Sequence, residues 1–389
     1  MPAGVTLLGT LAEDFTSRLH GVVGETGLKL KGGVIVKNLV LSGFSRAIDA
    51  TQGVQLLKNL VLDQNNIALS LTGSARATLV GSTVILSPIF STPVGANVQQ
   101  QAQFTMSGGT ISGGGQNCKT TAIGVKTVDA ARLTMKNGTT LKDIAGPALT
   151  MLGTSKALLT GLTTIDRDFS QLGEPCSPNP SVLMNASASL TLRKARVFSK
   201  GASNSVGIQY NNGTLLTLDS AVVSGHTGAG IRSLSKLNLA VTGSTFSGNF
   251  VGIDASQAST ASITITRSSV TGNAFGIGAP LFKLRSSKVT GNGIGIVLTA
   301  AQADLGKIAE PGNNTISGNF QTGVQFGQNV ISGGFGTISA AGNTWNPSIQ
   351  DSDESGHYPD NPLINGSSNL GSGQNFKLPE GNSKFKIQL

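Results

Sequence analysis

Cysteine is nearly missing from this chain: Cys118 and Cys176 are the only two in 389 residues. That excludes a zinc ribbon and a disulfide-dense framework, both of which need more thiols. Charged residues make up 12% and aromatic residues 5%, and the charged helix formers Glu and Lys are few beside Gly, Ser, Thr and Asn, so long helices are not expected. No run of eighteen apolar residues occurs, so no transmembrane helix is expected. The opening MPAGVTLLGTLAEDF lacks the basic start, apolar stretch and small-residue cleavage site of a signal peptide. An exported form would carry its signal ahead of this sequence.

What is plentiful is glycine, at 52 residues, and a 38% hydrophobic share made largely of small and β-branched side chains. With abundant Ser, Thr and Asn, this is the composition of short strands joined by tight turns. The formal net charge of +9 favours contact with polyanions such as acidic polysaccharide, anionic lipid headgroups or nucleic acid.

One phrase recurs: an alternating apolar strand, a Ser/Thr-Gly-Asn corner, then Gly and another short apolar strand. The corners stand at Ser224-Gly225-His226, Ser247-Gly248-Asn249, Thr271-Gly272-Asn273, Thr290-Gly291-Asn292 and Ser317-Gly318-Asn319. Each is followed by Gly and an apolar residue, as in Gly252-Ile253 and Gly276-Ile277. The corners recur every 19 to 27 residues or so, one turn of a β-solenoid and neither a helical-repeat nor a propeller period. Strands such as Leu190-Thr191-Leu192 and Ile263-Thr264-Ile265 alternate strictly, pointing apolar residues inward and Thr outward. Looser copies begin at Val34, Leu56, Thr78, Phe104 and Leu133. The expected fold is therefore all-β: a single-stranded right-handed parallel β-helix of roughly thirteen coils. It occupies residues 1–346, and a polar tail or irregular C-terminal cap occupies 347–389. The corner residues Asn249, Asn273, Asn292 and Asn319 are expected to stack as a hydrogen-bonded ladder, with Asn in the left-handed conformation.

On these repeats the chain resembles the pectin-lyase-like parallel β-helix proteins over nearly its whole length. The opening Pro2-Ala3-Gly4-Val5-Thr6-Leu7-Leu8-Gly9 and the ending Gly342-Asn343-Thr344-Trp345-Asn346-Pro347 make it most similar to a bacterial domain-of-unknown-function family of exported β-helix proteins. That resemblance implies an extracellular or cell-surface location, and a further coil ahead of Met1. It implies no established activity. Pectinase-type enzymes on this fold would show paired Asp residues on one strand face, or a Lys/Arg base beside a bound cation. No such Asp pair occurs.

Several clusters remain as candidate sites. Stacking the repeats places Asp166, Arg167 and Asp168 at one corner, with Lys200 on the next coil and His226 on the one after. Such a group can bind a sugar, a cation or an acidic ligand, and Lys200 or Arg167 can serve a lyase. An outward column of Lys37, Lys58, Lys136 and Arg193 forms a broken basic stripe suited to acidic polysaccharide. Nucleic acid is disfavoured, because no aromatic residues interleave with these charges. A neighbouring column of Thr105, Thr134, Thr191, Thr217 and Thr264, interrupted by Leu158 and Asn238, is ordinary strand composition rather than an ice-binding face. Cys118 and Cys176 lie on two long loops two coils apart, within reach of a disulfide. Asp351, Asp353 and Ser355 match the first half of a calcium loop, but Pro362 replaces its closing acid. No cofactor is otherwise expected. The function expected from the sequence is an exported scaffold that binds an extracellular or envelope polyanion, most naturally a polysaccharide, without catalysis. A polysaccharide lyase or glycoside hydrolase, and a purely structural or adhesive module, are the alternatives.

Overall fold

The structure is a computed structural model and describes residues 5–8, 17–113, 121–169, 179–200, 204–258, 260–299, 303–326, 336–346, 364–365, 376–377 and 385–388. The regular elements among them are all β-strands, three to a coil, each stacking in parallel on its counterparts to form three sheets. This is a right-handed parallel β-helix. The chain divides into two units, Met1–Gln209 and Tyr210–Leu389.

In the first unit one coil consists of the strands Arg76–Val80, Thr83–Leu86 and Val94–Val98. Arg76–Val80 alternates so that Ala77 and Leu79 are buried while Arg76, Thr78 and Val80 face out. It pairs in register with the strand below and the strand above. Because parallel register repeats each position coil after coil, like stacks on like. Leu57, Leu79, Met106, Met135, Leu159 and Leu192 form one continuous inner column, and every member is at most 1% exposed. Burying each such side chain contributes about 2 kcal/mol, and a one-residue slip would turn the whole column outward.

The second unit repeats this logic, with Ile231, Ile253, Ile277, Ile296 and Val324 stacked in one sheet. Its corners carry the ladder expected from the sequence. The Asn249 amide N–H donates to Asn273 Oδ1 (2.9 Å), that of Asn273 to Asn292 Oδ1 (3.1 Å), and that of Asn292 to Asn319 Oδ1 (3.1 Å). Each Nδ2 turns back to an inner carbonyl, such as Val270 O from Asn292 at 3.0 Å. The conformation differs from expectation. The left-handed residue is the glycine before each Asn, with φ of 61° at Gly248 and 63° at Gly272 and Gly291. The turn needs a positive φ at that position, and glycine supplies it without a Cβ penalty, leaving Asn free to point inward. Further along, a Cβ on Gly276 would lie 2.2 Å from Gly295 O and 3.3 Å from Asn292 Nδ2. The Gly-Ile phrase therefore keeps backbone and ladder in contact.

A second ladder, unmarked in the sequence reading, runs along another corner of the same unit. The amide of Ser244 donates to Ser268 Oγ (3.2 Å), Ser268 to Ser287 Oγ (3.1 Å), Ser287 to Asn314 Oδ1 (3.0 Å) and Asn314 to Asn343 Oδ1 (3.1 Å). Gly243, Arg267, Ser286, Asn313 and Gly342, one residue before each, all have positive φ. Beyond residue 346, Phe385–Gln388 pairs in parallel with Gly336–Ala340, and Phe376–Lys377 with the strand Thr322–Phe326.

Candidate functional site

In the first unit the period-two alternation sends three ranks of side chains outward from the sheet that contains Arg76–Val80. The trailing rank holds Lys37 directly opposite Lys58, then Val80, Ser107, Lys136, Thr160 and Arg193. These are the four cations expected from the sequence. The leading rank, which the sequence reading missed, holds Arg76, Gln103, and Arg132 directly opposite Lys156. Between them runs a rank of Leu56, Thr78, Thr105, Thr134, Leu158 and Thr191.

The geometry follows from strand dimensions. Neighbouring coils stand ~4.8 Å apart, and the two basic ranks, four residues apart along each strand, are separated by about 13 Å. Seven cations flank a low floor of Thr and Leu, and the three ranks contain no acid. Asp129, in the turn before Arg132, accepts from the Gln100 amide at 3.3 Å. Like charges placed directly opposite on neighbouring strands destabilise a sheet by a few tenths of a kcal/mol per pair. The Lys37/Lys58 and Arg132/Lys156 pairs thus cost stability, and nothing in the three ranks offsets them.

Some cations outside these ranks sit beside acids. In the second unit Arg232 Nε lies 3.3 Å from Asp254, Arg285 Nη2 lies 2.8 Å from Asp304, and Lys283 Nζ lies 2.6 Å from Glu310. These pairs neutralise one another. Lys283 and Arg285 hold the Glu310 carboxyl below its ordinary range, chiefly through the Lys283 hydrogen bond.

The expected corner cluster is rearranged. Asp166 and Asp168 face out, with Lys142 opposite Asp166 and Lys200 opposite Asp168. Arg167 lies inside the solenoid at 0% exposure, because the strand Thr164–Asp168 alternates and Ile165 shares its inward face. Its guanidinium donates to the carbonyls of Ile144 (3.2 Å), Ala145 (3.1 Å) and Asn179, and stands 5.2 Å from the Phe169 ring. Burial lowers its pKa to about 10, so it stays charged at neutral pH but reaches no substrate. His226 belongs to the second unit. It is also 0% exposed, and its amide donates to Asn249 Oδ1 at 3.1 Å, the ladder position. Neither side chain is available at a surface site.

Asp166 also neighbours Asp143, whose amide donates to the Asp166 carbonyl at 2.9 Å. One side-chain oxygen of each is buried without a hydrogen-bond partner. Burial pushes the Asp143 carboxyl up, and the Asp166 charge adds to this against Lys142, 3.7 Å away. A raised carboxyl stabilises the fold only while protonated. That contribution is complete below the unfolded value of 3.8 and is lost as pH rises through the folded value. Asp143→Asn should therefore raise thermal stability at pH 7 by roughly half a kcal/mol after solvent screening. The gain should vanish below pH 3.8, and calorimetry at the two pH values checks this.

The threonine column is also corrected: Thr217 and Thr264 are separated by Ala240, not Asn238, which pairs with Ser262 two positions earlier. Cys118 and Cys176, and the calcium-loop residues Asp351, Asp353 and Ser355, lie outside the described residues. Among the described residues no group of three or more His, Cys, Asp or Glu is placed to hold a metal ion, and no helix is long and apolar enough to cross a membrane.

Against solved structures, the chain is similar to the A-module of the mannuronan C-5 epimerase AlgE6 from Azotobacter vinelandii, at 12% identity and a TM-score of 0.46, covering 92% of this chain and 89% of that one. At that distance no chemistry is transferred. No curated protein matches. Residues 103–350 match the profile of DUF1565, described as a protein of unknown function. With well over half of its length inside that match, the chain belongs to the DUF1565 family.

Proposed function

We propose that the chain is an exported or cell-surface β-helix scaffold whose basic face in the first unit binds an acidic polysaccharide without turning it over. The observation that carries this reading is the pair of cation ranks flanking a Thr/Leu floor with no acid among them. Like charges held directly opposite at a cost to the sheet favour a surface that is neutralised by a ligand. The coil rise of ~4.8 Å is about the length of one sugar ring, so a glycan lying along the floor meets a cation on one side or the other at most coils, and on both sides at Arg132 and Lys136. The hydroxyls of Thr78, Thr105 and Thr134 are placed to hydrogen-bond its ring substituents. An extracellular or envelope location is part of this proposal, because that is where acidic polysaccharides are found.

The test is binding to polygalacturonate and hyaluronan from about 0.05 to 0.5 M salt, with reducing ends and the ultraviolet absorbance of unsaturated ends recorded in parallel. Binding should weaken steeply with salt, and no ends should appear. Arg132→Ala and Lys136→Ala should each lower affinity about fivefold. Affinity indifferent to salt and to both substitutions would sink the proposal.

A second reading, a glycan hydrolase or lyase, is favoured by one feature. Asp143, its carboxyl raised by burial, stands beside Asp166, and a raised carboxyl next to a second carboxyl is the usual arrangement of a general acid and its partner. Release of sugar ends that disappears in Asp143→Asn and Asp166→Asn would establish it.

A further inference from the structure

A different surface, on the second unit, has the chemistry of an uncharged ligand. Each ladder residue is followed by one corner residue, and in successive coils these are Thr227, Phe250, Ala274, Gly293 and Phe320. The backbone stacks them: the Phe250 amide donates to His226 O (2.9 Å), Gly293 to Asn273 O (2.9 Å) and Phe320 to Asn292 O (2.8 Å). Since each ladder Asn points inward, the next side chain points out. Phe250 is 52% exposed and Phe320 is 63% exposed.

The two rings stand three coil rises apart, ~14 Å, and the residues between them in that rank are the smallest available, Ala274 and Gly293. A Cβ on Gly293 would lie 2.5 Å from Ala274 O, so no side chain is accommodated at position 293 without moving the backbone. In the next rank Phe275 packs edge-on against Phe250, with ring centroids 5.5 Å apart and planes at 72°, fixing the first ring in place. On the other side of the trough the outward rank of the adjoining sheet is Ser247, Thr271, Thr290 and Ser317. It offers one hydroxyl per coil. None of these lining residues is charged; Lys288, two positions before Thr290, is the nearest cation along the strand.

We propose that this trough is a binding site for a short segment of neutral glycan. Phe250, braced by Phe275, and Phe320 expose apolar rings at the two ends of the trough, and exposed apolar surface rimmed by polar residues marks ligand-binding grooves. A pyranose ring has C–H groups on its faces, which stack on a phenyl ring, and hydroxyls around its edge, which meet the Ser/Thr rank. Two or three sugars fit between the Phe250 and Phe320 rings. A protein partner needs about 800 Å² per side, far more than a trough one residue deep provides. A polyanion finds no cation rank here. This site is independent of the basic face of the first unit, so either can fail alone.

The test is titration of the protein with laminarihexaose, cellohexaose, xylohexaose and mannohexaose, followed by saturation-transfer NMR and calorimetry, with circular dichroism to verify each variant's fold. At least one oligosaccharide should bind with an affinity insensitive to salt. Phe250→Ala and Phe320→Ala should each weaken it about tenfold, and Ala274→Arg, which fills the trough, should abolish it. Arg132→Ala in the first unit should leave it unchanged. Failure of all four oligosaccharides to bind, or binding that survives both Phe substitutions and Ala274→Arg, would overturn the proposal.

Discussion

Asn292→Ala is expected to cost about 3 kcal/mol of stability. Asn292 is 0% exposed. Its Oδ1 accepts from both the backbone N–H and the Nδ2 of Asn273, at 3.1 and 2.9 Å, and its Nδ2 donates to Val270 O at 3.0 Å and to Asn319 Oδ1 at 3.1 Å. Truncation removes one side chain but strands donors and acceptors on three coils, all cut off from water. Leaving buried partners unmatched costs more than the missing hydrogen bonds were worth. Thr290→Ala, two residues away on the outside of the same coil, should cost less than about 0.5 kcal/mol. Urea denaturation of both variants decides the matter: equal midpoints for the two would mean that the ladder does not hold the coils together.

Arg167→Met is expected to destabilise the first unit by about 3 to 5 kcal/mol. Methionine fills most of the volume, but the carbonyls of Ile144, Ala145 and Asn179 lose the cation that satisfies them. Arg167→Lys retains the charge without the planar fork, and should fall between the two. The pH dependence has a definite sign. Burial depresses the folded pKa from the ordinary guanidinium range to about 10, so the penalty for carrying the charge is constant below pH 10 and is relieved as pH rises above it. The stability difference between wild type and Arg167→Met should therefore be flat from about pH 5 to 9. A difference that disappeared with acidification instead would indicate a carboxylate partner, contrary to the carbonyl cage. The same contacts tie the chain at Asn179 to the corner at Ile144 and Ala145, so the variant should also become cleavable by protease near residue 179 first.

The fold was legible because its constraint is periodic. Ser-Gly-Asn corners followed by Gly-Ile recur in the second unit with little variation, and each element of the phrase has a steric reason visible in sequence. The Ser244 to Asn343 ladder was not legible, because Ser, Thr and Asn are also the commonest outward strand residues. Its signal lay one residue earlier, in the turn-formers Gly243, Asn313 and Gly342. The leading basic rank was within reach: Arg76-Ala77-Thr78-Leu79-Val80 places Arg76 on the same face as Thr78 by the period-two rule alone. Arg167 shows where charge misleads. Alternation put it beside Ile165 on the inner face, yet a cation is assigned outward unless its partners are known. Those partners are backbone carbonyls on another coil and at the end of an insertion, which no local pattern places. The Phe250–Phe320 trough depends on Ala274 and Gly293 being small at two intervening coils, a relation that emerges only once the register is fixed.

The most direct test of the central claim separates the basic face from the overall charge of +9. Two quadruple variants each remove four positive charges: one on the face, Arg76→Ala, Arg132→Ala, Lys136→Ala and Lys156→Ala, and one off it, Lys31→Ala, Arg46→Ala, Lys236→Ala and Lys288→Ala. Affinity for polygalacturonate should fall about a hundredfold or more in the first and about threefold in the second. Equal losses in the two would contradict the account, because binding would then follow net charge and not the two ranks of cations on one sheet.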